Sequence, residues 1–407
     1  MTAADSAGTT GWPAHTREPR EWRQSMRGGN REDRMLRSVI VAIPPRIASL
    51  TFAPSPRLTA ASERALVEVL TTDGEARSQS RALGRFMLRT ESVASSKIER
   101  ISASASDYAR ALAGSRANSS ATSMVAASAA LHRLVDRAGE TGRITLDDLL
   151  AAHRTLMADD SAEASYAGRP RDMQNWIGGS DHSPRDALYV PPPPELVGAL
   201  VDDLVAWSAR DDMPVFVQAA IAHAQFESIH PFTDGNGRVG RALVSAILRR
   251  RGVTKTAVVP LASGILAVRE DYFAALTSYR DGDPAPVIEM MVRAATAAAI
   301  ESRASISALR DLPSEWRSLV DTSAGSATDR LLAALLDDPV MSGEDAIAAL
   351  GSTPATAYAA LDRLTEAGVI AEITGRKRDR VWAANDVIGE LDDLDRRIQR
   401  RMLDILS

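Results

Sequence analysis

One stretch, His230-Pro-Phe-Thr-Asp-Gly-Asn-Gly-Arg-Val-Gly-Arg241, gathers several kinds of chemistry into a single turn. His230 closes an amphipathic segment and could act as a general base. Asp234 offers a carboxylate suited to a metal ion. Gly235, Asn236 and Gly237 make a flexible, donor-rich turn, and Arg238, Gly240 and Arg241 follow it. After Arg241 the chain becomes apolar and helical. A glycine-rich turn opening into a helix N-terminus binds anions, because unpaired backbone N–H groups and the positive end of the dipole face the same way. Arg238 and Arg241, spaced i, i+3, share a helix face and can grip one polyphosphate. Together these residues point to nucleotide phosphate chemistry.

The elements that must position this turn are mostly helical. The chain has 407 residues, 45% of them apolar, 25% charged and only 4% aromatic, which suits a multidomain, alanine-rich helical protein. A formal net charge of −5 argues against a chain that coats nucleic acid. Zero cysteines exclude a disulfide framework, thiolate zinc sites and a cysteine nucleophile. No apolar run approaches a membrane span and no signal-peptide core is visible, so a cytoplasmic protein without membrane contact is expected.

Residues 1–37 lack apolar periodicity and read as a disordered leader, in which Trp12 and Trp22 carry little weight. Residues 38–140 read as an N-terminal helical region, entered through an extended, proline-containing segment. Residues 141–307 read as a core with helices leading to and from the phosphate turn. Within it, residues 159–194 are dominated by loop, and the glycines at 178–179 with the prolines at 191–194 bracket a short β-ribbon. Residues 308–325, with Pro313 and a small-residue run, read as a linker. Residues 326–390 pattern as three helices and a hairpin, a winged helix-turn-helix. A last helix, from Asp386 to Leu406 and set apart as a unit from 391 to 407, carries an apolar stripe (Val387, Leu391, Leu394, Ile398, Met402) suited to a partner helix, which makes a homodimer an expectation.

The stretch from His230 to Arg241 resembles the active-site motif of the Fic (Fic/Doc-type) family, His-Pro-Phe-x-Asp/Glu-Gly-Asn-Gly-Arg-x-x-Arg, and every fixed position is present. Gln174-Asn-Trp-Ile-Gly-Gly179 and Tyr189-Val-Pro-Pro-Pro193 resemble the hairpin flap that clamps the target in that family. Glu91-Ser-Val-Ala-Ser-Ser-Lys-Ile-Glu99 resembles its inhibitory helix. The resemblance implies a mainly α fold, a Fic-type helical core with a β-hairpin flap and a winged helix behind it. It implies transfer of AMP from ATP to a Ser, Thr or Tyr hydroxyl of a target protein, which could be another copy of this chain.

In that reading His230 is the base and Asp234 holds Mg2+. Gly235, Asn236, Gly237, Arg238, Gly240 and Arg241 contact phosphates, with Tyr272 near the adenine, although ordinary helix packing is an equal reading of Tyr272. Trp176, Ile177, Gly178, Tyr189 and Val190 form the target clamp. Ser95 and Glu99 restrain the enzyme through a bidentate pair with Arg241. Arg100 departs from the small residue the family carries there, which leaves the end of the inhibitory helix open.

His132, His153 and His223 read as packed or surface histidines. The candidate recognition helix, 353–367, carries one arginine against Asp362 and Glu366, too little positive charge for phosphate contacts, so dimerisation or target docking is favoured over DNA binding. Alternatives stay open: removal of AMP, transfer of another phosphate-linked group at the same site, or a nucleotide-sensing DNA-binding regulator.

Overall fold

The computed structural model describes residues 11–24, 28–79, 81–375 and 379–406. It opens with a ribbon. Strand β1 (Thr16–Glu21) pairs antiparallel with β2 (Ser38–Ile43), Thr16 opposite Ile43 and Glu21 opposite Ser38. Between them lies a short helix, α1 (Arg31–Met35), closed at its start by a capping box of Asn30 and Asp33. The described part of the expected disordered leader is therefore ordered. Its charged text hides the strand because β1 is largely exposed, and two tryptophans supply the apolar anchors instead. Trp12 packs edge-on against Trp207 at 5.8 Å, and Trp22 against Trp176 at 5.5 Å.

Helices α2 (Pro56–Gln79) and α3 (Arg81–Ile98) follow, then α4 (Ala105–Leu112), α5 (Ser119–Thr141) and α6 (Leu146–Met157). Ser104, Asn118 and Thr145 cap α4, α5 and α6, each accepting a backbone N–H three residues on. α3 ends where Arg100 takes a left-handed backbone (φ 61°), while Ile101 N–H reaches back to the Ser96 carbonyl. Arg100 thus closes the helix as a small residue would, at a conformational cost of about 1 kcal/mol.

After the flap segment come α7 (Pro194–Ser208), α8 (Val215–Ile229), α9 (Asn236–Arg250), α10 (Leu261–Ala267), α11 (Arg269–Arg280) and α12 (Ala285–Val320). Every residue of α8 is buried, so it forms the centre of the core, with α9 returning beside it and α5 packed on α9. The expected ribbon in the flap reduces, among the described residues, to one antiparallel bridge between Ile177 and Tyr189. The expected linker at 308–325 is also corrected. α12 continues through Pro313 to Val320, held by buried Leu309 and Trp316, whose indole N–H bonds Asp386 Oδ2 at 2.8 Å.

The C-terminal unit comprises α13 (Ala327–Asp337), β3 (Val340–Ser342), α14 (Gly343–Leu350), α15 (Pro354–Glu366), β4 (Ile370–Glu372) and β5 (Val381–Ala384). Its strands form an antiparallel sheet in the order β3-β5-β4. Residues 376–378, which belong to the basic run Arg376-Lys-Arg-Asp-Arg380 expected between two strands, lie outside the described residues. α16 (Asn385–Leu406) matches the expected helix from Asp386 to Leu406, and its apolar stripe packs on α12, α10 and α3 of the same chain. Leu394, Ile398 and Met402 are buried there, so the stripe does not wait for a partner helix. Among the described residues no helix is long and apolar enough to cross a membrane.

Candidate active site

The motif loop joins α8 to α9 and both of its ends are left-handed. His230 caps α8 at φ 49° with its N–H on the Phe226 carbonyl, and Pro231 then forbids further helix. Gly235 precedes α9 at φ 76°, where an added Cβ would lie 2.8 Å from Leu156. Asn236 closes the loop on itself: its Oδ1 accepts the Phe232 N–H and its Nδ2 donates to the Phe232 carbonyl, both at 2.8 Å. Its side chain is therefore engaged internally, and the donors the turn can offer an anion are backbone N–H groups. The N-terminus of α9 has no side-chain cap, so they remain unpaired by that route.

Two residues outside the motif hold this loop. His153 stacks on Phe232 with ring centroids 3.8 Å apart and planes 3° apart. Gly168 N–H donates to its Nδ1 at 3.0 Å, so Nε2 carries the proton and donates to the Asp234 carbonyl at 3.1 Å. Arg171, 3% exposed, points its guanidinium at backbone carbonyls from both sides of the site: His230 and Ile229 on the motif side, Met173 and Pro192 at the ends of the flap. Arg171 N–H also donates to the Pro231 carbonyl at 2.8 Å. Sequence reasoning passed over Arg171; one of two arginines between Gly168 and the flap, it carries no signal until the carbonyls it serves are located.

Arg241 is 2% exposed at its side chain, and its fork is divided. Nε donates to Ser95 Oγ at 2.8 Å, and Nη2 donates to the Ser95 carbonyl at 2.9 Å and to Glu99 Oε1 at 2.8 Å. The expected bidentate pair is thus a single contact to a carboxylate that keeps 35% of its side chain exposed. Arg241 Nη1 and Arg238 Nε are buried without a partner among the described residues. Burial alone would push the Glu99 carboxyl up; Arg241 outweighs it and holds the carboxyl below its usual range. Glu99 Oε1 also fills the space over Gly237, where a Cβ would come within 2.0 Å of it.

Charge in the site is set mainly by burial. His230 is driven down to about 3 by burial, then by the Arg171 and Arg280 charges, so its imidazole is neutral at pH 7; Nδ1 is enclosed without a partner. Burial also lowers His15 to about 3 and His153 and His223 to about 4. It raises Glu91 and Glu227 to about 7. Between about pH 5 and 6 the unfolded chain therefore binds four histidine protons that the folded chain excludes. Over the same range the folded chain keeps two carboxyl protons that the unfolded chain releases. With about one to two more protons on the unfolded side, stability rises with pH by roughly 2–3 kcal/mol per unit. Urea midpoints should fall as buffers are taken from about pH 6 to 5; a flat profile would contradict this balance.

The Fic/DOC family profile matches residues 143–248. The chain carries a Fic/DOC domain. Protein adenylyltransferase fic-1 of Caenorhabditis elegans is 31% identical over 158 residues, covering 38% of this chain and 28% of that protein. Protein adenylyltransferase Fic of Nematostella vectensis is 33% identical over 153 residues, covering 37% and 32%. The chain thus spans about a third or less of the length of these curated relatives. A crystal structure of a Fic family protein from Desulfovibrio desulfuricans shares the fold at a TM-score of 0.53 and 24% identity, covering 82% of this chain and 97% of that one.

Several expected residues of the Fic domain take other places. Tyr272 is 1% exposed, and its hydroxyl shares a hydrogen bond with His223 Nε2 at 2.9 Å, so it supports α8 and offers no face to an adenine. Gly240 faces α8; a Cβ there would lie 2.7 Å from Glu227, so glycine permits close helix packing rather than phosphate contact. Tyr189 and Val190 point inward, each 8% exposed. The Tyr189 hydroxyl donates to the Ser228 carbonyl at 2.7 Å, and the Val190 carbonyl accepts the Ala42 N–H of the ribbon at 2.8 Å. They fasten the flap, while Leu188, 85% exposed, and half-buried Trp176 and Ile177 remain nearer its surface. Gly178 sits at φ 74°, against Leu188.

Proposed function

We propose that the chain is a protein adenylyltransferase restrained by Glu99. The observation that carries this reading is a neutral His230 joined by one short loop to an uncapped helix start, with buried, unpartnered Arg238 Nε and Arg241 Nη1 beside it. Orphaned guanidinium donors at a helix N-terminus call for an anion, and the α-, β- and γ-phosphates of ATP supply one. The hydroxyl oxygen of a Ser, Thr or Tyr attacks the α-phosphorus and His230 takes its proton. The bond between the α-phosphorus and its bridging oxygen breaks, and pyrophosphate leaves. Backbone N–H groups of Gly237 and Arg238 meet the charge that builds on the phosphates, and Arg241 holds the leaving group.

Asp234 suits Mg2+ in a limited way. Its carboxylate side chain is 58% exposed and only loosely paired with Arg238 at 3.4 Å. Among the described residues no group of three or more His, Cys, Asp or Glu is placed to hold a metal. Such a site fits a hard cation that keeps water and phosphate oxygens as its other ligands, and bound Mg2+ would neutralise phosphate charge there. Glu99 shares Arg241 with the arriving phosphate, which is the restraint. Because its carboxylate is also partly exposed, removal of AMP through a water beside Glu99 is the second reading.

The C-terminal unit reads as a winged helix that serves the core. Its Asp338 lies 3.2 Å from Arg85 and its Ile373 carbonyl accepts from Arg110, so it braces α3 and α4. Labelling with Mg2+ and ATP marked at the α- or γ-phosphate tests the whole reading. Label is expected on protein from α-marked ATP alone, rising about ten-fold in Glu99→Gly, the factor that about 1.4 kcal/mol of restraint represents. Equal labelling in both chains would sink the restraint. Label from γ-marked ATP would mean phosphorylation, and no label with DNA retained at moderate salt would favour a regulator.

A further inference from the structure

A cleft of about 850 Å³ opens between the N-terminal ribbon and the flap. One wall is Trp22 and Val39 of the ribbon, the other Met173 and Trp176 of the flap. It runs to the catalytic loop, because Thr233 of the motif lines it and Asn175 Nδ2 donates to the Phe232 carbonyl at 2.9 Å. Its cations are already engaged: Arg20 pairs with Glu18 at 3.0 Å and Arg23 with Glu21 at 2.8 Å. Its remaining carboxylates are not. Among the described residues none of them forms an ion pair: the Glu163 carboxylate accepts the Thr233 hydroxyl at 2.6 Å, and Asp181 and Glu195 are exposed. Met173 leaves 41% of its surface open beside them.

From this arrangement we infer that the cleft seats an extended segment of the target protein, one that places an apolar side chain against Met173 and Trp176 and a lysine or arginine near Asp181, Glu195 and Glu163. This rests on the adenylyltransferase reading and adds a substrate preference to it. Four carboxylates (Glu21, Glu163, Asp181 and Glu195) line the cleft against two arginines (Arg20 and Arg23), and this negative excess repels a nucleotide or nucleic acid and attracts a basic peptide. The half-buried aromatic and thioether surface rewards an apolar neighbour to that charge. Thr233, three residues beyond His230, lines the cleft, so a segment seated there runs toward the motif loop. The ribbon is the distinguishing part, since without β1 and β2 the cleft would lack one wall.

Fluorescence anisotropy tests this with dye-labelled peptides of about a dozen residues, each carrying a central Ser and Leu and differing only in two flanking positions: Lys, Glu or Gln. Against the full chain at physiological salt, the Lys peptide is expected to bind at least about ten-fold tighter than the Glu peptide, a difference of about 1.4 kcal/mol. The double variant Asp181→Asn, Glu195→Gln should shrink that ratio to below about three-fold. A control chain, Glu140→Gln with Glu344→Gln, neutralises two exposed acids away from the cleft and should keep the ratio. No binding of the Lys peptide, equal affinities for the Lys and Glu peptides, a ratio unchanged in the cleft variant, or an equal loss in the control would overturn the inference. α-Marked ATP with the Glu99→Gly chain separates the two readings. A Lys preference without any label would count against adenylyl transfer, and label without preference against the cleft alone.

Discussion

Replacing His230 with asparagine is expected to lower adenylyl transfer by about 10² to 10⁴-fold, the usual weight of a positioned general base. Asparagine is the informative choice because His230 sits at φ 49°, a backbone that Asn tolerates and Ala resists. An alanine variant would add about 1–2 kcal/mol of cap strain to the chemical loss. With asparagine the melting temperature should stay within a few degrees, and KM for ATP should change little, since no phosphate contact is assigned to the imidazole. A neutral histidine held at about 3 also predicts no acid limb near the usual 6.5 in the free enzyme's pH profile. Transfer by the asparagine variant at the wild-type rate would remove His230 from the mechanism.

The motif was legible because its residues act through type and spacing: a cap histidine before a proline, Gly235 where the backbone turns left-handed, arginines one helical turn apart. The helices around it were legible from apolar periodicity, but α8, apolar at ten of its fifteen positions, reads as an amphipathic segment and is buried on every side. What escaped depended on distant partners. β1 is charged and exposed, and becomes a strand only because β2 lies twenty residues on to pair with it. α12 crosses Pro313 because Trp316 and Leu309 are buried beyond and before it, which outweighs the missing N–H. The apolar stripe of α16 was visible, but its cover by α3, α10 and α12 could be seen only in the fold. In the site, resemblance placed Tyr272 and Gly240 on the ligand, whereas packing against α8 claims both.

Arg171 shows most plainly how a residue without a motif can govern the site. Its guanidinium is the shared donor for carbonyls of His230, Ile229, Met173 and Pro192, so it fixes the base and both ends of the flap to one centre. Burial lowers its pKa to about 10, still fully charged at pH 7, and a methionine of similar length would fill the space while leaving the carbonyls without donors. Arg171→Met is expected to cost about 3–5 kcal/mol, the range for removing one partner from a buried charged network. It should also abolish detectable transfer, because the flap and His230 would no longer share a fixed reference. Arg171→Lys keeps the charge but compresses a planar fork into a point donor that cannot serve carbonyls on two sides at once. It should therefore retain much of the stability and little of the activity, read by thermal unfolding beside α-phosphate labelling. A lysine chain with wild-type transfer would show that charge alone suffices, and that the fork does not set the geometry of the base.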